Sequence, residues 1–156
     1  MKFNLLILSL TMHAGMSYAN EVQCIRQDLA SIQGLIPGLR ASNNLPVNYE
    51  AVEAVSGEDD GGEYTGQKYK YEHFEVIIVR DFIDSIRISS PLILWAESIK
   101  TGMNRDEIEK NLGYAQVYRG NSSSQYLICS NVGDVYAVLD YSMGYLKSIE
   151  IVIDRP

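Results

Sequence analysis

The sequence predicts an α+β fold built as two tandem units, each a helix followed by a four-stranded antiparallel meander. Three observations predict it. Apolar residues recur at helical spacing over residues 21–33, and a second helix is marked by its own cap near residue 104. Alternating segments rich in isoleucine and tyrosine are punctuated by Gly, Asn and Ser clusters, as in short strands joined by turns. The chain also matches itself: Phe82-Ile83-Asp84-Ser85-Ile86-Arg87-Ile88 aligns with Tyr145-Leu146-Lys147-Ser148-Ile149-Glu150-Ile151, and the same offset carries Gly57 onto Gly120. The two pseudo-repeats cover about 20–90 and 91–156 of a single domain.

Residues 1–19 read as a signal peptide. Lys2 supplies the positive n-region, Leu5 to Leu10 the apolar run, and Ser17-Tyr18-Ala19 the small residues of a cleavage site. The run is well short of the roughly 20 residues that span a bilayer, so no membrane span is expected. Cys24 follows Glu21-Val22-Gln23, which lacks the small and apolar residues of a lipobox. The expected location is the periplasm, or outside the cell.

In the first unit, Val22, Ile25, Leu29 and Ile32 share one face of a helix over 21–33, stopped by Gly34, Pro37 and Gly38. Residues 38–49 carry no period. Strand character begins at Tyr49 and runs through Ala51–Val55. The polar loop Gly57-Glu58-Asp59-Asp60-Gly61-Gly62 leads into Tyr64–Phe74, and the strands Val76–Val79 and Phe82–Ile88 turn about Arg80-Asp81. In the second unit, Asn104 is the helix N-cap and Glu107 its capping-box partner. Met103 and Ile108 form a staple, Ile108 and Leu112 face inward, and Gly113 closes the helix. Strands follow at about 114–119, 125–130, 134–141 and 145–153. Trp95, in the connector, is expected to pack at the hinge between the units.

The stretch Ile99-Lys100-Thr101-Gly102-Met103-Asn104-Arg105-Asp106-Glu107-Ile108-Glu109-Lys110-Asn111-Leu112-Gly113 resembles the Gly-Met-polar, Glu-apolar, Leu-Gly helix of two groups of exported proteins. These are the small outer-membrane assembly lipoproteins of the SmpA/OmlA type and the β-lactamase inhibitory protein. The resemblance covers residues 99–153. It implies a helix packed on an antiparallel sheet, with two such units in tandem as in the inhibitory protein. Tyr114-Ala115 stands where the family often has a residue and then proline. The motif specifies fold, and function does not follow from it.

Composition narrows the function classes. The net charge is −7, one unit more negative once Lys2 leaves with the signal peptide, which argues against nucleic-acid binding. His13 lies in the signal peptide, so His73 would have to carry any triad chemistry alone, and a two-histidine metal site is excluded within one chain. Carboxylate pairs such as Glu72 with Glu75, or Glu97 with Asp106, belong to no motif. No enzyme, no cofactor and no metal are expected. Cys24 and Cys129 make an even pair suited to a disulfide, with two buried thiols as the alternative.

Two features suit a partner. Between residues 50 and 63 lie Glu50, Glu53, Glu58, Asp59, Asp60 and Glu63 with no base, matching a cationic surface. A solvated turn or a calcium loop are the alternatives, although alternating Asp/Asn calcium ligands are missing. Tyrosines recur on the strands, and Tyr69 and Tyr71 share one face with Lys68 and Lys70 on the other, as in an aromatic docking face. The expected partner-binding residues are therefore Glu58, Asp59, Asp60, Glu63, Tyr64, Tyr69 and Tyr71. The expected function is an exported module, a monomer or weak dimer. It would bind another protein, such as a basic toxin or envelope enzyme, as an inhibitor or immunity protein. The alternative is a structural accessory of envelope assembly.

Overall fold

The computed structural model describes residues 23–59 and 62–154. The expected signal peptide over 1–19, and Asp60 of the expected partner-binding residues, lie outside the described residues. The chain forms one eight-stranded antiparallel sheet with little helix: β1 (Ala51–Asp59), β2 (Gly62–Lys70), β3 (Phe74–Val79), β4 (Phe82–Ile88), β5 (Gln116–Arg119), β6 (Ser123–Ile128), β7 (Asp134–Ser142) and β8 (Tyr145–Asp154). The strand order is β1-β2-β3-β4-β8-β7-β6-β5, so two meanders meet where β4 pairs with β8. The fold is mostly β, a coarser architecture than the helix-braced pair of units expected. Among the described residues no helix is long and apolar enough to cross a membrane.

The first expected helix is a single turn, α1 (Gln27–Ala30). Residues before it are pulled into extended backbone. Ile25 bridges Ile128 in parallel, donating to Leu127 O and accepting from Cys129 N at 2.8 Å each. The Cys24–Cys129 disulfide, with Cα atoms 5.1 Å apart, sits beside that bridge. After it, Gln33 and Gly34 take positive φ and turn the chain. The helical spacing of Ile25, Leu29 and Ile32 is real, but these residues lie along the sheet as a cover, not around a long helix.

The second helix, α2 (Arg105–Leu112), forms where its signals place it. Asn104 Oδ1 accepts from Asp106 N at 2.9 Å, Ile108 and Leu112 are buried, and Met103 packs against the core. Gly113 departs from expectation. Its φ is −55°, so it continues into a 3-10 turn over Gly113–Ala115. The loop expected at 57–62 is also shorter, because β1 and β2 stay paired to Asp59 opposite Gly62.

One face of the sheet is covered. Val76, Ile86, Ile151, Ala137 and Tyr126 form a cross-strand row through the register, with Phe74, Ile88, Ile149, Leu139 and Ser124 in the row beside it. All ten are buried. Ile25, Ala30, Leu35, Ile36, Trp95, Ile99, Ile108 and Leu112 cap these rows. Trp95 is fully buried and donates from Nε1 to Ala30 O at 2.9 Å. It pins the connector onto α1 inside the covering layer, where a hinge position was expected.

Candidate docking face

Strand residues alternate between faces, so the positions between the covered rows point to the other side. There the register builds a single line across seven strands: Lys70, Glu75, Arg87, Glu150, Val138, Gln125 and Tyr118. Charge alternates in sign over its first four members, then gives way to apolar and aromatic groups. A second line runs through Lys68, Ile77, Ser85, Val152, Tyr136 and Leu127. On the β5–β8 half the two lines merge into a shallow depression of about 520 Å³, lined by Tyr118, Gln125, Leu127, Tyr136, Val138 and Val152 among others. Nothing from the covering layer lies in that lining.

The charged end of this face is organised by ion pairs. Glu53 receives both Lys68, at 3.1 Å, and Lys70. Those hydrogen bonds hold the Glu53 carboxyl below its usual range. At the junction of the two meanders Glu150 behaves oppositely. Burial pushes its carboxyl upward, Arg87 pulls it down, and Asp140 and Asp84 push it further up. Covering this face with a partner would remove more water from Glu150.

The acidic feature is a ribbon, not a loop. β1 and β2 remain paired from Ser56 opposite Thr65 to Asp59 opposite Gly62, beyond the last β2–β3 pair at Gly66. At about 3.4 Å per residue the ribbon projects roughly 13 Å past its neighbour. Glu58 stands directly opposite Glu63, a like-charge pair that a cationic partner would relieve. Asp59 ends the paired ribbon, and Tyr64 lies across from Gly57. A Cβ on Gly57 would meet the Tyr64 hydroxyl at 2.6 Å, so the ring occupies the space the missing side chain leaves.

The tyrosines divide between the faces. Tyr64, half-buried, shares the uncovered side with Lys68 and Lys70. Tyr69 lies opposite Val76 on the covered side, packs on the core, meets Tyr49 edge-on at 5.2 Å and donates to Gln67. Tyr71, beyond the end of β2, is 8% exposed. It stacks on Phe74 and donates to Pro46 O at 3.0 Å. The irregular segment 41–49 folds against this side, burying Tyr71 and leaving Tyr69 partly buried in a shallow depression with Leu45, Val47 and Tyr49. Tyr118, Tyr136 and Tyr64 stand on the uncovered side of the sheet, and Tyr49, Tyr114 and Tyr145 are exposed as well. Strand alternation alone could have paired Tyr136 with Val138, but the depression needs the β6–β7–β8 register.

His73 sits in a bend between β2 and β3, where strand was expected. Ser90 Oγ lies 3.4 Å from its Nδ1 and Glu72 Oε1 3.7 Å from its Nε2, with the Glu72 side chain 78% exposed. Among the described residues no group of three or more metal-ligating side chains comes together.

Behind the face, α2 is locked to the β5–β6 hairpin by Arg105. Its guanidinium donates to Glu109 at 2.7 Å, Asn121 O at 2.9 Å, Gly120 O at 2.8 Å and Ser124 Oγ at 2.9 Å, and lies 4.8 Å from the Tyr141 ring centroid. Arg119 also donates to Glu109, and the two arginines hold that carboxyl below its usual range. The Tyr126 and Tyr141 hydroxyls beneath are buried without a hydrogen-bond partner, and burial raises both phenols. A scan against protein-family models and searches of curated proteins and solved structures find no match to this chain.

Proposed function

We propose that this chain is an exported protein-binding module that sterically blocks a target enzyme or toxin, as a periplasmic inhibitor or immunity protein. The observation that carries the reading is the uncovered sheet face, where alternating charges run into an aromatic depression. Such a surface offers what docking needs. Tyrosine and aliphatic area can be desolvated at the centre, and charge beside it fixes register and rejects wrong partners. The acidic ribbon with Glu58 and Glu63 favours a basic target. The Cys24–Cys129 disulfide supports export, since such bridges persist in oxidising compartments, and the leader at 1–19 supports the same route.

Residues 99–113 support the finer arrangement, two helix-plus-meander units of about 20–90 and 91–156, through their resemblance to the inhibitory protein.

Site-specific photocrosslinking tests the proposal. A photoreactive residue at Tyr136 is expected to capture an envelope protein whose enzymatic or toxic activity falls when the purified chain is added. The same probe at Lys110, on the exposed side of α2, is expected to capture nothing specific. Equal capture from both positions would sink the docking face. Capture from Tyr136 of outer-membrane assembly components alone would replace inhibition with the accessory role.

A further inference from the structure

The two outer strands of the sheet are built differently. β5 is four residues long and its register shifts between Gln116 and Tyr118. Its hairpin is also held from behind by Arg105 and by the Arg119–Glu109 pair. β1 is nine residues long, and its register runs unbroken from Ala51 opposite Lys70 to Asp59 opposite Gly62. Among the described residues no strand pairs with its outer side. An open edge presents a row of backbone donors and acceptors, and natural edges are blunted by bulges, prolines, lysines or shortness. β1 is long, unbulged and free of proline and lysine, and its charged side chains are all acidic. Ala51, Val52 and Ala54 are exposed, with small or β-branched side chains that leave the backbone accessible. The inner side is braced by the Glu53 pairs with Lys68 and Lys70 and by Tyr64 over Gly57.

We propose that β1 is a strand-addition site: an extended, lysine- or arginine-rich segment of a partner protein pairs its backbone with Ala51–Asp59. Charge selects the occupant. Glu50, Glu58 and Asp59 lie on or beside the edge, Glu63 stands across from Glu58, Glu53 is taken up by Lys68 and Lys70, and no Lys, Arg or His occurs between Arg40 and Lys68. A second copy of this chain pairing through β1 would bring both sets of acids onto one ladder, where like charges repel. A basic strand places opposite charges there and takes up the free backbone groups. The edge site stands apart from the open face, because strand addition uses backbone at the rim and leaves the depression uncovered. Either can fail alone.

The test uses the full chain and a synthetic peptide of alternating lysine and valine. An alternating glutamate–valine peptide, and the lysine peptide N-methylated along one edge, serve as controls. The lysine peptide is expected to bind and to slow amide exchange over residues 51–59, with 116–119 unchanged. N-methylation should weaken binding by about tenfold or more, since it deletes several backbone hydrogen bonds. Equal binding by the methylated or glutamate peptide would overturn the proposal. So would protection confined to β5 or the open face, or a dimer through β1 in the absence of peptide. Ala54→Pro and Val55→Pro give a second arm. Neighbouring residues of a strand point their N–H groups in opposite directions, so one of the two leaves the β1–β2 ladder intact. That variant should lose the peptide; undiminished binding by it would overturn the assignment.

Discussion

The β1–β4 half of the sheet and the β5–β8 half carry the same number and order of strands, yet they are held by different means. The second half is fixed from behind. α2, the 3-10 turn, the Cys24–Cys129 bridge and the four-way grip of Arg105 all bear on β5–β8. The first half is held at its inner strands by Tyr71, Phe74 and the 41–49 segment, while β1 and the ribbon beyond Gly66 extend past that support. The difference teaches how a small sheet divides its labour. A rigid half can expose an apolar depression on its far face without losing shape, and a loosely held half can offer an edge and an acidic ribbon.

Breaking the cross-link should show the largest contrast. Replacing Cys24 and Cys129 by alanine removes a bridge across 105 residues, and the chain-entropy estimate for such a loop is about 4.7 kcal/mol, an upper figure. Chemical denaturation with and without reductant measures it. Arg105→Ala comes next. It strips Glu109 of one arginine and leaves the Gly120 and Asn121 carbonyls without their donor, a loss of about 1–3 kcal/mol for a part-buried, charge-assisted hydrogen-bond network. The matching lesion in the first half, Glu53→Ala, breaks two exposed ion pairs screened by solvent and should change stability little. Equal losses from the two substitutions would erase the distinction between the halves.

Acid–base behaviour sharpens the comparison with opposite signs. Glu109 is depressed in the folded state, so its stabilisation is complete above the ordinary carboxylate value of 4.5 and fades as pH falls through the lower folded value. Glu150 is raised, so its contribution is complete below 4.5 and is lost as pH rises through its folded value. Glu150→Gln should therefore hold or raise stability at neutral pH, and Glu109→Gln should lower it. Denaturation midpoints between pH 4 and pH 8 decide this. The smallest effect belongs to Tyr141→Phe. Its hydroxyl is buried without a partner, so removing it should be neutral or slightly stabilising.

Much of the strand pattern was legible in the sequence because period-2 alternation survives whatever packs above it. Phe82–Ile88 and Tyr145–Ile151 fell on β4 and β8, and the Asn104 cap marked α2 to within a residue. Three things were not legible, each for a physical reason. Ile25, Leu29 and Ile32 show helical spacing because a segment laid across a sheet must also turn apolar groups one way, and the bridge to Ile128 then overrides propensity. Tyr69 and Tyr71 sit on one side of the chain as expected, but which side is covered depends on residues 41–49, and irregular backbone has no period to read. The depression at Tyr136, Val138 and Val152 joins strands through register, which no single segment encodes. Glu58 and Glu63, expected in one loop, face each other across a paired ribbon, a register that a run of acids does not encode.

Native-state hydrogen exchange on the full chain tests the division of the sheet most directly. Amides of β6, β7 and β8 should open only with global unfolding, while those of residues 56–59 and 62–65 should exchange with opening energies lower by at least about 2 kcal/mol. A single opening energy shared by both regions, or greater protection in the ribbon than in β7, would contradict the account.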